Sequence, residues 1–138
     1  MVRVQTETFE PGALQAELTT AGKAGAVVTF TGHVRDSEGL YLEHYPGMTE
    51  KVMADLRDRA IDRFDLTDAG IVHRVGMLRT DEVIVWVGTC SRHRQKAFEA
   101  ACFMMDTLKS QVPLWKKENN QWLEPGDHEI KNLEKWND

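Results

Sequence analysis

Met105–Glu118, MDTLKSQVPLWKKE, carries two lysines across an enforced change of backbone conformation. Pro113 has no N–H to donate and pushes Val112 out of the helical region. A helix running through Met105 and Leu108 must therefore stop near Gln111, and an extended segment follows. On a helix, positions four apart share a face, which sets Lys109 beside Met105 at the border of an apolar stripe and predicts a partly desolvated ammonium. In the extended segment Leu114 and Lys116 point one way and Trp115 and Lys117 the other, so Lys116, in the strand, is expected to be the better hydrated of the two lysines. A cation in the last helical turn also complements the macrodipole, and a Lys-Lys pair suits open solvent. Spacing alone leaves both readings, cleft and surface, open.

Upstream, Ser91 is an N-cap for the helix whose apolar stripe reads Ala97, Phe98, Ala101, Cys102, Met105 and Leu108. Its first turn then holds Arg92, His93 and Arg94, cations that oppose the macrodipole at about 0.3 to 1 kcal/mol each, where free N–H groups attract an anion. Arginine adds bidentate recognition of phosphate, and the lysines at the far end of the same element suit a second anionic centre. Between Arg92 and Lys117 stand six cations and two anions in a chain of net charge -5, which suggests a small anionic ligand and argues against nucleic acid as partner. Downstream, Asn119-Asn120 is a turn, Gln121–Leu123 returns as a hairpin partner, Glu124-Pro125-Gly126 breaks it, and Ile130, Leu133 and Trp136 suit a short amphipathic tail helix.

Further out, Val2–Phe9 reads as a first strand, Pro11 opens a helix with Leu14 and Leu18 on one face, and Ala26–Phe30 reads as a buried strand. Arg35 ends that strand at a polar turn, where scaffolds commonly present functional groups. Leu40–Tyr45 is the returning strand, Pro46-Gly47 a turn, and Thr49 the cap of a helix burying Val52, Met53, Leu56, Ala60 and Phe64. Ile71–Leu78 and Val83–Cys90 are two further strands, the second apolar enough to be central, with Trp86 in the core.

At 138 residues, 41% hydrophobic and 28% charged, the chain suits one soluble domain over residues 1–138. No apolar run approaches the roughly 20 residues of a membrane span, and the N-terminus lacks a secretory pattern, so a cytoplasmic location and no membrane partner are expected. Cys90 and Cys102 fall in apolar segments and read as buried thiols. The five histidines show neither HxxxH nor HExxH spacing, so no metal is expected.

Four blocks in order, GAVVTFTGHVR at Gly25–Arg35, LEHYPGMTE at Leu42–Glu50, SRHRQKAFEA at Ser91–Ala100 and MDTLKSQVPLWKKE at Met105–Glu118, resemble the catalytic (large) subunit family of molybdopterin synthase. The resemblance implies an α+β fold of the α/β-hammerhead type with an additional small antiparallel β subdomain. It also implies a dimer of this chain within a heterotetramer, with a small ubiquitin-like sulfur-carrier subunit at each end. The carrier's C-terminal Gly-Gly thiocarboxylate gives sulfur to cyclic pyranopterin monophosphate, and two transfers make the dithiolene of molybdopterin, with no cofactor bound permanently. By the same resemblance Lys109 and Lys116 are the catalytic lysines. His33, Val34, Arg35, His93, Arg94, Lys109, Lys116, Lys117 and Glu118 contact substrate, and Phe30 and Met105 flank the incoming tail. His33 stands where the family commonly has lysine, the turn after Arg35 is shorter than in some relatives, and the C-terminal tail matches weakly. A non-catalytic phosphate-ligand or regulatory module on the same scaffold is the alternative function.

Overall fold

The computed structural model describes residues 1–35, 38–123, 134 and 136. The elements in chain order are β1 (Val2–Gln5), α1 (Pro11–Leu18), β2 (Ala26–His33), β3 (Leu40–His44), α2 (Met48–Phe64), β4 (Asp68–Arg74), β5 (Gly76–Leu78), β6 (Val83–Ser91), α3 (Arg94–Gln111), β7 (Leu114–Glu118) and β8 (Gln121–Leu123). They build an α+β fold with two four-stranded sheets, ordered β1-β4-β6-β2 and β5-β3-β7-β8. The first is mixed, with β1 parallel to β4 and the other pairs antiparallel; the second is antiparallel throughout.

The first sheet is buried on both faces because its central strands alternate two apolar sets. Ile71, Val85 and Val87 face α2 and α3, where they meet Met53, Leu56, Phe103 and Met104. Val72, Trp86 and Cys90 face the other way, against Leu14 and Leu18 of α1. Trp86 lies over the paired glycines Gly70 and Gly88, and a Cβ at Gly88 would come within 2.5 Å of its ring. A third apolar group, Val34, Leu40, Leu42, Val75 and Leu78, joins the two sheets.

Several expectations are corrected. Ala26–Phe30 forms an edge strand, not a buried one: β2 pairs only with β6, and Thr29 and Phe30 are exposed. The strand at Leu40 does not return along β2; it pairs with β5 and β7 in the other sheet. Ile71–Leu78 is divided at Val75, where the chain leaves the first sheet for the second, and Gly76 takes the positive φ (94°) that the change of direction requires.

Thr49 is not the cap of α2. Gly47 is, and the Thr49 hydroxyl instead accepts from the Tyr45 N–H at 2.9 Å and donates to the Pro113 carbonyl at 2.8 Å. Ser91 is the last residue of β6, and His93 is the N-cap of α3. The buried stripe of α3 is Ala97, Ala100, Ala101, Phe103, Met104, Thr107 and Leu108, so Phe98 and Cys102 lie on the exposed side and only Cys90 is a buried thiol. The expected tail helix falls outside the described residues apart from Glu134 and Trp136; the Trp136 indole N–H donates to Asp106 Oδ2 at 2.7 Å, and its ring meets Phe64 and Phe103 edge-on.

Candidate active site

Pro113 acts as its chemistry requires. Helix α3 ends at Gln111, and Val112 is extended (φ -81°, ψ 131°). The Thr49 hydroxyl holds the Pro113 carbonyl, which ties the start of β7 to the β3–α2 turn. Strand β7 then runs beside β3 with Lys116 opposite Leu42 and Lys117 opposite Tyr41. Its alternation sorts the side chains: Leu114, Lys116 and Glu118 line a cleft of about 650 Å³, while Lys117 turns away and sets its ammonium 5.4 Å from the Trp122 ring.

The cleft opens where the two sheets meet. One wall is the end of β2 with the residues after it, from Phe30 to Arg35. The last turns of α3 add Met105, Leu108 and Lys109 to the lining. The floor holds His73, Ile84 and Val85, and the second sheet closes the far side. Gly32 makes room in the first wall, since a Cβ there would stand 2.9 Å from Val85 Cγ1 and 3.4 Å from the Phe30 ring. Val34, 2% exposed, anchors this wall through its own backbone: its N–H donates to the Glu82 carbonyl and its carbonyl accepts from the Asp81 N–H. His33 and Arg35 on either side of it are exposed.

Among the described residues, the basic side chains of Arg35, Lys109 and Lys116 therefore share a cleft with the carboxylate of Glu118. Their burial reverses the expected order: Lys109 is exposed and Lys116 half-buried. Phe30 and Met105 line the same cleft. His93, Arg94 and Lys117 do not line this cleft. His93 and Arg94 are exposed at the start of α3, with the extended backbone of His93 (φ -130°, ψ 151°) leading in and no side chain capping the helix. Arg94 and Lys109 are separated by about 22 Å along the helix axis at about 1.5 Å per residue.

The residue that sequence reasoning passed over is His73. It is buried in β4, its Nδ1 lies 2.8 Å from the Arg74 carbonyl oxygen, and it lines the cleft. Burial pushes its pKa down to about 4; the Arg74 hydrogen bond opposes this, and the charges of Lys116 and His44 add to it. The signal was a His-Arg pair closing an otherwise apolar central strand. Among the described residues no group of three or more His, Cys, Asp or Glu is placed to hold a metal ion, and no helix is long and apolar enough to cross a membrane.

Two sheets meeting at a cation-lined, partly apolar cleft define an α+β protein with a concave site whose charge suits an anionic small molecule. The chain belongs to the MoaE protein family, whose model matches residues 4–111. It is 40% identical to the molybdopterin synthase catalytic subunit of Pasteurella multocida (strain Pm70), over 98% of this chain and 97% of that one. Among solved structures it is similar to the molybdopterin biosynthesis MoaE protein from Burkholderia ambifaria MC40-6, at 40% identity and a TM-score of 0.90 over 100% of this chain and 99% of the other. It also shares its fold with a chain from the protein-protein complex of subunits 1 and 2 of molybdopterin-converting factor from Helicobacter pylori 26695. There the TM-score is 0.75 and the identity 18%, covering 91% of this chain and 90% of that one.

Proposed function

We propose that this chain is the catalytic subunit of a cytoplasmic molybdopterin synthase, a sulfurtransferase that moves sulfur from the C-terminal thiocarboxylate of a small ubiquitin-like carrier to cyclic pyranopterin monophosphate. The observation that carries this reading is the joining of Arg35, Lys109 and Lys116 with Phe30 and Met105 in one cleft. Both reactants are anionic and repel each other in water. Cations fixed in a partly enclosed site offset that repulsion and hold the reacting groups together, which favours the transition state over separate binding. A Gly-Gly tail has no side chains to obstruct it, so it fits between Phe30 and Met105 with its terminal sulfur directed at Lys109 and Lys116. The amines of those lysines are the groups able to carry a proton or form a bond at the reacting centre.

Because Arg94 and Lys109 are far apart on one helix, His93 and Arg94 serve this chemistry from a second copy of the chain, as phosphate contacts across a homodimer. A carrier at each end completes a heterotetramer, an arrangement in keeping with the two-subunit complex of the Helicobacter pylori relative. Incubation of the purified chain with thiocarboxylated carrier and cyclic pyranopterin monophosphate should yield the dithiolene product. Tight ligand binding without product would favour a phosphate-binding module instead. The sulfur comes from outside the chain: Cys90 is buried with its thiol pKa raised by that burial, and neither cysteine lines the cleft. A folded variant carrying Cys90→Ala and Cys102→Ala should keep its turnover, and loss of sulfur transfer from it would refute the external donor.

A further inference from the structure

His73 and Arg74 close β4 just before the chain crosses to the second sheet. The Arg74 guanidinium is buried and bonded to backbone carbonyls, with Nε and Nη2 donating to Thr6 at 3.2 and 2.9 Å and Nη1 to Val83 at 3.1 Å. Arg74 is thus clamped from two directions, and its own carbonyl oxygen lies 2.8 Å from His73 Nδ1. A carbonyl can only accept, so Nδ1 carries the proton and Nε2 keeps a lone pair. Among the described residues the Arg74 carbonyl is the ring's one hydrogen-bond partner, which leaves Nε2 unused. The ring is 6% exposed and lines the cleft. A buried imidazole with one nitrogen committed to the backbone and the other unspent is an acceptor in want of a donor.

We propose that His73 is a specificity-determining residue whose Nε2 accepts a hydrogen bond from an N–H group of the pyranopterin heterocycle bound on the cleft floor. The assignment deepens the synthase reading above and rests on it. Guanidinium and ammonium groups only donate, so Arg35, Lys109 and Lys116 suit a phosphate but leave the N–H groups of a heterocycle without acceptors. Thr31, His33 and Glu118 line the cleft and can accept, but they are half-buried or exposed, where water competes for them. His73 is buried beside Ile84 and Val85. There an anion that lacks a matching N–H leaves the imidazole desolvated and unpaired, and that penalty separates the pyranopterin from other phosphates. The Arg74 carbonyl fixes the accepting tautomer, and a pKa of about 4 keeps the ring neutral at physiological pH. The carrier's Gly-Gly tail also brings N–H groups into the cleft. A flat heterocycle is the better occupant of the floor, because it covers Ile84 and Val85 with one polar edge at His73, and the tail has no side-chain surface to place there.

The test begins with wild-type protein carrying ¹⁵N-labelled histidine, titrated separately with cyclic pyranopterin monophosphate, inorganic phosphate and the carrier without its sulfur. The His73 Nε2 resonance should shift with the pyranopterin and hold its place with phosphate and with the carrier. An unmoved Nε2 at saturating pyranopterin overturns the assignment, and so does a shift produced equally by phosphate or by the carrier tail. Two substitutions then split the imidazole. His73→Asn keeps a donor for the Arg74 carbonyl and removes the Nε2 acceptor, whereas His73→Gln places an acceptor near Nε2. His73→Asn should bind the pyranopterin about fivefold to a hundredfold more weakly, the factor for leaving one buried group unpaired, and should bind inorganic phosphate as the wild type does. His73→Gln should recover most of that affinity. Equal losses for both ligands, or no loss in His73→Asn, would overturn the role of His73. The synthase reading fails separately: wild-type protein whose Nε2 shifts on binding but which forms no dithiolene refutes that reading alone, and wild-type protein that forms dithiolene with Nε2 unmoved refutes the acceptor alone.

Discussion

Lys109 and Lys116 exchange the environments that their positions in the sequence suggest. Helix periodicity places Lys109 and Met105 on one cleft-lining face, but Lys109, at the end of α3, is exposed. Lys116 is half-buried because its strand is paired on both sides, by β3 and β8, and its side chain lines the cleft. Burial of this kind depends on which strands become neighbours, and spacing along one segment carries no record of that. His73 has a consequence for stability as well. Its pKa is about 4 when folded and 6.5 when free, so the unfolded chain takes up a proton that the folded chain refuses. Stability is therefore present above pH 6.5 and lost as pH falls toward 4, with about 2 kcal/mol disappearing between pH 7 and pH 5 from this group alone. Urea denaturation at the two pH values should show this loss, and His73→Gln should reduce it by that amount. An equal pH dependence in the variant would mean that other groups are responsible.

Individual elements were legible wherever local chemistry decides them. Pro113 ended α3 at Gln111, the alternation of β7 separated Lys116 from Lys117, and the apolar run of β6 made it central. The buried face of α3 was not legible, because Phe98 and Cys102 on one side are as apolar as Phe103 and Met104 on the other. The choice between the two faces is made by contact with β6 and α2. Strand partners were missed for a related reason: β3 could close a hairpin with β2, but the apolar group of Leu40, Leu42, Val75 and Leu78 draws it to the second sheet. Thr49 is the element-scale device that sets β7 in place. Thr49→Val keeps the shape but leaves the Tyr45 N–H and the Pro113 carbonyl without their partner, at a cost of about 1 to 3 kcal/mol. Thermal unfolding should register this loss, and the sulfur-transfer rate should fall with it as β7 loosens. At Gly88 the added methyl of an alanine would meet the Trp86 ring and Leu18, and about 1 to 3 kcal/mol of overpacking is expected by the same measurement.

At the scale of the whole molecule, the four sequence blocks were enough to place the chain in its family, and the distance between Arg94 and the cleft is the basis for proposing that a second copy serves each site. If Arg94 of one chain serves the cleft of another, then Lys109→Ala and Arg94→Ala chains, each inactive alone, should complement when mixed. Random pairing leaves about a quarter of all sites intact. A site complete within one chain gives no recovery. Two of the three apolar groups share residues at their borders, with Val4, Ile84 and Leu114 packed against both the main core and the group joining the sheets, so we propose that both sheets unfold together in one transition. The central claim is that the amines in the cleft carry out sulfur transfer. Its most direct test is the single-turnover rate of dithiolene formation in Lys109→Arg and Lys116→Arg proteins with preloaded carrier, alongside a separate titration of substrate binding. Arginine keeps the charge but cannot be deprotonated. Lys109→Arg should bind substrate normally and lose about a hundredfold to ten-thousandfold in rate, the span of acid-base assistance, whereas Lys116→Arg should retain part of its rate. A Lys109→Arg protein that transfers sulfur at nearly the wild-type rate would contradict the account, leaving that lysine an electrostatic clamp with no part in the chemistry.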